Sequence, residues 1–229
     1  MKPKAWSWTA LESFENCPKQ FFETRVLKDK YPYIETEEMR WGKLVHKKFE
    51  DYILVDAPLP ADLVVHQPFL DAFKAEPGTV QAEQRIALDT SFRPCKYFDK
   101  DVEVWWRGQV DASKRDLAAG RSHLVDHKTG KVKNVYDQLK LFAIWEFIAH
   151  PQINTVKIEY YWTQIKGSNG ETYTRDQLPE LIAYFVPRLH RLADAFLTNT
   201  FIPKQSGLCA GWCPVKDCEF WRPKRAPRS

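Results

Sequence analysis

Residues 134–150 would set apolar side chains on almost every side of a helix: Val135, Leu139, Phe142, Ile144, Trp145 and Ile148. A helix without a polar face has to pass through the body of a domain, with other elements packed around it. The flanking segments supply those elements. Residues 79–88, 102–112 and 122–128 before it, and 153–163 after it, are rich in Val, Ile, Trp and Tyr and read as strands. In the last of them Val156, Ile158, Tyr160 and Trp162 share one face. Further helices are expected over residues 62–75, 176–198 and 41–55, where Val45, Phe49, Tyr52 and Ile53 recur at three- and four-residue steps. Ser7 or Thr9 caps a short helix that runs through Phe14, stops near Cys17-Pro18 and resumes over residues 19–26. Residues 28–38, 56–60 and 89–101 read as connections, and 166–170 as a turn. The order is helices, three strands, the buried helix, a strand and a helix, which gives an α/β class with a mixed sheet.

The 229 residues, 44% hydrophobic, can bury a core of that size. One domain over residues 1–221 is expected, followed by a flexible basic tail at 222–229. No stretch approaches the roughly 18 apolar residues of a membrane span, and the amino terminus has no apolar run after its charges. The reading is a cytoplasmic protein with no membrane contact. Six Lys or Arg stand against two acids after residue 203, so the whole net charge of +4 resides there. Such a tail either confers solubility or touches phosphates. Five cysteines in an intracellular chain argue for metal or redox use over disulfides, and Cys209, Cys213 and Cys218 fall within ten residues.

Two strands end on acids. Arg107-Gly-Gln-Val-Asp111 closes one, and Leu124-Val-Asp126-His-Lys128 closes the next, with Asp126 and Lys128 on the same face. Two acids beside an ammonium suit metal-assisted hydrolysis of a phosphodiester, and the competing reading is a solvated strand end running into the Thr129-Gly130 turn. Asp111 and Asp126 offer hard oxygens suited to Mg²⁺, and an imidazole such as His46 broadens the site to Mn²⁺. His46 lies one turn beyond Gly42, whose missing side chain leaves room for a ligand; the plainer reading of His46 is a hydrogen-bonded structural residue. Lys128 would orient or deprotonate the attacking water, or stabilise transition-state charge. Gln138, on the buried helix, either bonds the backbone or aims at the site. Glu83 is a lone strand acid, and such residues are more often exposed.

In order and rough spacing, Gly42-x-x-x-His46, Gly108-x-x-Asp111, Asp126-x-Lys128 and Gln138-x-x-x-Phe142 resemble the RecB-type branch of the PD-(D/E)XK nuclease superfamily. Ser7-Trp-Thr9, Cys17-Pro18 and Phe21 extend the resemblance over nearly the whole chain. It implies a restriction-endonuclease-like core, His46, Asp111 and Asp126 as ligands of Mg²⁺ or Mn²⁺, and Asp111, Asp126, Lys128 and Gln138 as the catalytic set. Phe142 stands where the family's motif usually has tyrosine. The members of this branch with iron–sulfur clusters, among them helicase-associated and CRISPR-adaptation nucleases, use one early and three late cysteines. That implies Cys17 with Cys209, Cys213 and Cys218, with the late loop at 207–221 packed on the N-terminal helix. Cys95 is the rival fourth ligand. A [4Fe–4S] cluster is the first choice and structural Zn²⁺ the second. The expected activity is a metal-dependent DNA exonuclease acting on DNA ends or single strands, in DNA repair or recombination, with any helicase or recombinase partner on another chain. The alternative is a non-catalytic DNA-end-binding module held by its cysteine site.

Overall fold

The computed structural model describes residues 5–28, 30–32, 34–133 and 135–223. In chain order the elements are α1 (Trp8–Asn16), α2 (Pro18–Phe21), a π-helical stretch (Phe22–Leu27), α3 (Glu37–Val55), a 3₁₀ turn (Val64–His66), α4 (Gln67–Ala75), β1 (Thr79–Asp89), β2 (Val104–Asp116), β3 (Arg121–Lys128), α5 (Asp137–Ala149), β4 (Thr155–Trp162), β5 (Gly167–Thr174) and α6 (Leu178–Leu197). They fall into two compact units, one of residues 35–183 and one of residues 1–34 with 184–229, where the sequence reading has one domain over 1–221. Most of the expected tail, residues 224–229, and the expected start of the central helix at Asn134 lie outside the described residues. Among the described residues no helix is long and apolar enough to cross a membrane.

The larger unit is a five-stranded mixed sheet in the order β1-β2-β3-β4-β5, flanked by helices as a restriction-endonuclease-like fold requires. Only β3 and β4 run parallel, and the chain between them passes through α5, because parallel neighbours need a crossover. β5 corrects the sequence reading, which placed a turn at residues 166–170. The segment is polar until Tyr173, and its strand character comes from pairing with β4 along its whole length. Gly170 is required there, since a Cβ would stand 2.1 Å from the Ile158 carbonyl oxygen. The helix expected over residues 62–75 is likewise divided, with Pro68 in the first turn of α4 and a 3₁₀ turn before it.

Each face of the sheet has its own helical cover. On one, Val45, Phe49, Tyr52 and Ile53 of α3 and Leu70 and Phe73 of α4 pack with Ala112, Val125 and Tyr161. On the other lies α5, with nine buried residues in its thirteen. Arg115 reaches that helix and donates to both oxygens of Glu146 at 2.6 and 2.9 Å, with the pair 6% and 0% exposed. Gly108 meets it too, since a Cβ there would stand 2.9 Å from Phe142.

Those contacts disclose a reversal. Odd-numbered Arg115 and even-numbered Gly108 both face α5, although both lie on β2. The hairpin partner behaves alike: Ala82 packs against the α3 core, whereas Gln84 accepts from Arg115 on the α5 side at 2.8 Å. Regular alternation would put Ala82 and Gln84 on one face. The change occurs at Glu83, whose φ of 48° lies in the left-handed region, and the ladder lacks the Glu83–Asp111 rung while keeping one register on either side. Glu83 and Asp111 are thereby left on the α3 side, next to Ala82 and Ala112.

Candidate active site

Three elements converge where the sheet opens. The β2–β3 ladder ends at the Ala112–Val125 rung, one residue short of Asp111 and Asp126, and beyond it β2 stays with β1 while β3 stays with β4. The two acids sit at this fork, 6% and 3% exposed. α3, capped at its start by the Thr36 side chain, brings His46 over the gap. Gly42, expected to leave room for a ligand, instead faces Thr129, whose Oγ1 would stand 3.2 Å from a Cβ at that position.

His46 Nδ1 lies 3.4 Å from Asp111 Oδ1 and 3.5 Å from Glu83 Oε1. The other oxygen of Asp111 accepts the His127 backbone N–H at 2.7 Å, which fixes how the carboxylate presents itself to His46. Glu83 is held in addition by the side-chain amide of Gln109. Among the described residues, His46, Glu83 and Asp111 form the one group of three or more His, Cys, Asp or Glu side chains whose ligand atoms lie within 4.8 Å of each other. One nitrogen and two carboxylates suit a hard divalent cation that keeps part of its water shell.

Asp126 stands beside this group with different partners. Its Oδ1 accepts from Gln138 Nε2 at 2.8 Å, its Oδ2 lies 2.5 Å from Lys128 Nζ, and Lys128 donates to Gln138 Oε1 at 3.0 Å. Gln138 therefore closes a triangle that points the ammonium at the fork, and Lys128 also lies 5.1 Å above the Tyr160 ring. The sequence reading placed Asp126 in the ligand set with His46 and Asp111; the geometry groups Glu83 with those two. The sequence reading leaves Glu83 out of the ligand set, as a strand acid that could point inward but is of a kind more often exposed, and its side chain is only 21% exposed. The hairpin register, which sets it opposite Asp111, was the signal that would have found it.

Charge within the site follows from burial and proximity. Burial alone pushes the His46 imidazole down, but hydrogen bonds to Asp111 and Glu83 and the charge of Asp111 and Asp126 outweigh it and raise the group to about 10. Burial likewise works against the Asp111 carboxylate, and His46 holds it below its usual range. Burial raises Asp126 to about 6, with Asp111 adding to the rise and Lys128 opposing it. His127 is driven down to about 4 by burial and stays neutral.

The cysteines belong to the smaller unit. There Ser7 caps α1, Phe14, Phe21 and Phe196 pack edge to face, and Glu15 joins Arg188 in a two-pronged pair at 2.7 and 2.5 Å. Cys17, Cys209, Cys213 and Cys218 line one small cavity with Lys204, Val215 and Trp221. The Lys204 and Ser206 amides donate to Cys17 and Cys209 sulfurs, each at 3.4 Å. Burial and the three neighbouring cysteines push the Cys213 thiol up. Cys95 does not line this cavity; it lies in the β1–β2 connection of the larger unit. No three of the four sulfurs lie within 4.8 Å of one another.

The sequence matches the PD-(D/E)XK nuclease superfamily over residues 5–218. The chain belongs to that superfamily. This PD-(D/E)XK protein is therefore a nuclease, a phosphodiester hydrolase, and Asp126-His-Lys128 has the form of the superfamily's (D/E)XK element. Its fold is similar to the crystal structure of a "putative exonuclease" from Eubacterium rectale, at 13% identity and a TM-score of 0.51, over 99% of this chain and 91% of that one. The crystal structure of SSO0001 also aligns, at 13% identity and a TM-score of 0.45, over 96% and 87%. Comparison with curated proteins gives no match.

Proposed function

We propose that this PD-(D/E)XK nuclease is a divalent-metal-dependent deoxyribonuclease of the RecB-type branch that degrades DNA from ends or in single strands. The observation that carries the reading is the juxtaposition of the His46–Glu83–Asp111 group with the Asp126–Lys128–Gln138 triangle at one fork in the sheet. His46, Glu83 and Asp111 would hold Mg²⁺ or Mn²⁺, with Asp126 beside them. Such an ion, when bound, makes water nucleophilic at neutral pH and neutralises the scissile phosphate. Lys128 orients the attacking water and stabilises charge on the phosphate oxygens. Gln138 positions that lysine by accepting from it while donating to Asp126, and Asp111 is held in place by the His127 amide.

A four-thiol centre in the smaller unit belongs to the same reading. Cys17, Cys209, Cys213 and Cys218 fit a group with four thiolate ligands, and amide donors to sulfur suit thiolates. Around a single Zn²⁺, with bonds of about 2.3 Å, tetrahedral geometry brings sulfurs to about 3.8 Å of each other. A [4Fe–4S] cluster takes four thiolates as well, and the one-early, three-late order of the cysteines makes it the first choice here. Its role is to clip the early cysteine to the late loop.

The test is hydrolysis of end-labelled linear and of circular single-stranded DNA with Mg²⁺, Mn²⁺ or EDTA. Loss of linear but not circular DNA, metal-dependent and abolished by Asp126→Ala or Lys128→Ala with the fold retained, is expected. Binding without cleavage under every metal condition would instead indicate a DNA-end-binding module. Iron and sulfide in anaerobically purified protein, against zinc, decide the nature of the cysteine centre.

A further inference from the structure

Beyond the fork, β1 and β2 continue as a two-stranded ribbon, and the reversal at Glu83 and Asp111 decides what each side carries. Trp106 and Gly108 face α5. The opposite side carries Arg85 and its ladder partner Gln109, followed by Arg107. The β1–β2 connection lays Tyr97 and Phe98 over these arginines. The Arg85 and Arg107 guanidiniums lie 5.7 and 5.5 Å from the Tyr97 ring centre, and Arg107 lies 5.1 Å from that of Phe98. Among the described residues neither guanidinium has a carboxylate within ion-pair distance. Arg107 Nε is buried without an acceptor. Asp89, at the end of β1, binds Arg93, and Asp99 in the connection accepts the Lys96 and Asp101 amides. Phe98 is 66% exposed.

Two cations gathered on one ring without a counter-charge repel each other, so the arrangement suits an anion supplied from outside. Guanidinium forks match phosphate oxygens, and exposed rings beside them accept bases. The side has a fixed relation to the acids. Gln109, hydrogen-bonded to Glu83, and Arg107 stand two and four residues from Asp111 along β2, roughly 7 and 14 Å at the rise of an extended strand.

We infer that Arg85 and Arg107, with Tyr97 and Phe98, form a binding platform for unpaired nucleotides of the DNA substrate, next to the acids at the fork. This rests on the nuclease reading above. Arg85 and Arg107 take backbone phosphates, and Phe98 stacks on a base, which only a strand out of its duplex presents. Tyr97 keeps the two guanidiniums apart from solvent on one side and aligned.

The experiment compares wild type, R85A/R107A and F98A in two assays. In the first, anisotropy reports binding of a fluorescent single-stranded oligodeoxynucleotide and of a blunt duplex in EDTA over a salt series. Loss of two phosphate contacts lowers the single-strand salt slope by about 1.4 and weakens binding at least tenfold. F98A weakens single-strand binding about tenfold, within the range of one stacked base, leaves the slope unchanged and spares the duplex. In the second, hydrolysis of bis(p-nitrophenyl) phosphate with Mn²⁺, a substrate too small to span from the fork to the platform, stays at the wild-type rate in both variants. Phe98 and Arg85 are exposed, so F98A and R85A alone provide folded variants if the double substitution unfolds. Single-strand affinity and salt slope unchanged in R85A/R107A, or equal losses for single strand and blunt duplex in F98A, would overturn the platform. Absence of metal-dependent hydrolysis of both bis(p-nitrophenyl) phosphate and end-labelled DNA by the wild type would overturn the deoxyribonuclease reading instead and leave the binding arms to judge the platform by themselves.

Discussion

Glu83 combines a carboxylate in the site with a backbone that resists any side chain, and the two effects can be separated. E83A and E83G both remove the carboxylate and its bonds to His46 and Gln109, so they differ only in the Cβ. At φ 48° that atom is crowded, and the left-handed conformation costs a residue with a Cβ about 1–2 kcal/mol. Glycine loses more conformational freedom on folding, about 0.5–1 kcal/mol relative to alanine. The difference leaves E83G more stable than E83A by about 1 kcal/mol, some 2–4 °C for a chain of this length. At Gln81, two residues earlier on β1 and not among the positive-φ positions, the order should invert, with Q81A above Q81G by about 0.5–1 kcal/mol. Thermal and urea unfolding in EDTA measure both pairs. E83A equal to or above E83G would refute the claim that strain at this residue turns the hairpin over. Neither variant should be stabilised by Mn²⁺, whereas the wild type should be.

Three further perturbations probe the surroundings. Asp126 is raised to about 6 by burial, with Asp111 adding to the rise and Lys128 opposing it, so in the metal-free protein its contribution to stability is present below about pH 4 and lost as pH rises through 6; the loss is on the order of 3 kcal/mol and should be missing from D126N in urea titrations with EDTA. Glu159 behaves oppositely. Burial opposes its ionisation, but hydrogen bonds from His123 and Ser168 outweigh it and hold the carboxylate down at about 2, so its contribution, roughly 3 kcal/mol, is present above about pH 4.5 and lost as pH falls towards 2. E159Q should flatten that acid limb, and an unchanged limb would refute the assignment. E146A leaves the Arg115 guanidinium buried without its carboxylate and should cost about 3–5 kcal/mol by urea unfolding, whereas an effect below about 1 kcal/mol would mean that Gln81 and Gln84 suffice as partners.

The parts legible in the sequence were those set by local periodicity. The apolar circumference of α5 announced a helix inside the domain, and strands carrying Asp111 and Asp126-x-Lys128 announced a pair of acids on neighbouring strands, although β2 runs on to Asp116 and so does not end at Asp111 as the sequence reading has it. The motifs that carried the resemblance also meet physically: Gly108 and Phe142 come from two of them and touch, so the ring that replaces the usual tyrosine packs against β2. Glu83 escaped because its placement depends on the β1–β2 register and a left-handed residue, neither of which alternation of side chains records. β5 escaped because its polar sequence matches a turn, and only pairing with β4 makes it a strand.

Because the β1–β2 ladder resumes past the missing Glu83–Asp111 rung in the register it had before, the hairpin constrains its own evolution. One residue added to or deleted from either strand alone would exchange the two faces from that point onward. In β1 the change would drive Arg85 against α5; in β2 it would drive Arg107 there and Trp106 out into water. The connection at residues 90–103 is tied to β1 through the Leu88–Pro94 bridge and the Cys95 amide, and apart from Tyr97 and Phe98 it has no two faces to exchange. Length variation in related chains should therefore collect between the two strands and be missing from them, whatever drift their individual side chains have undergone.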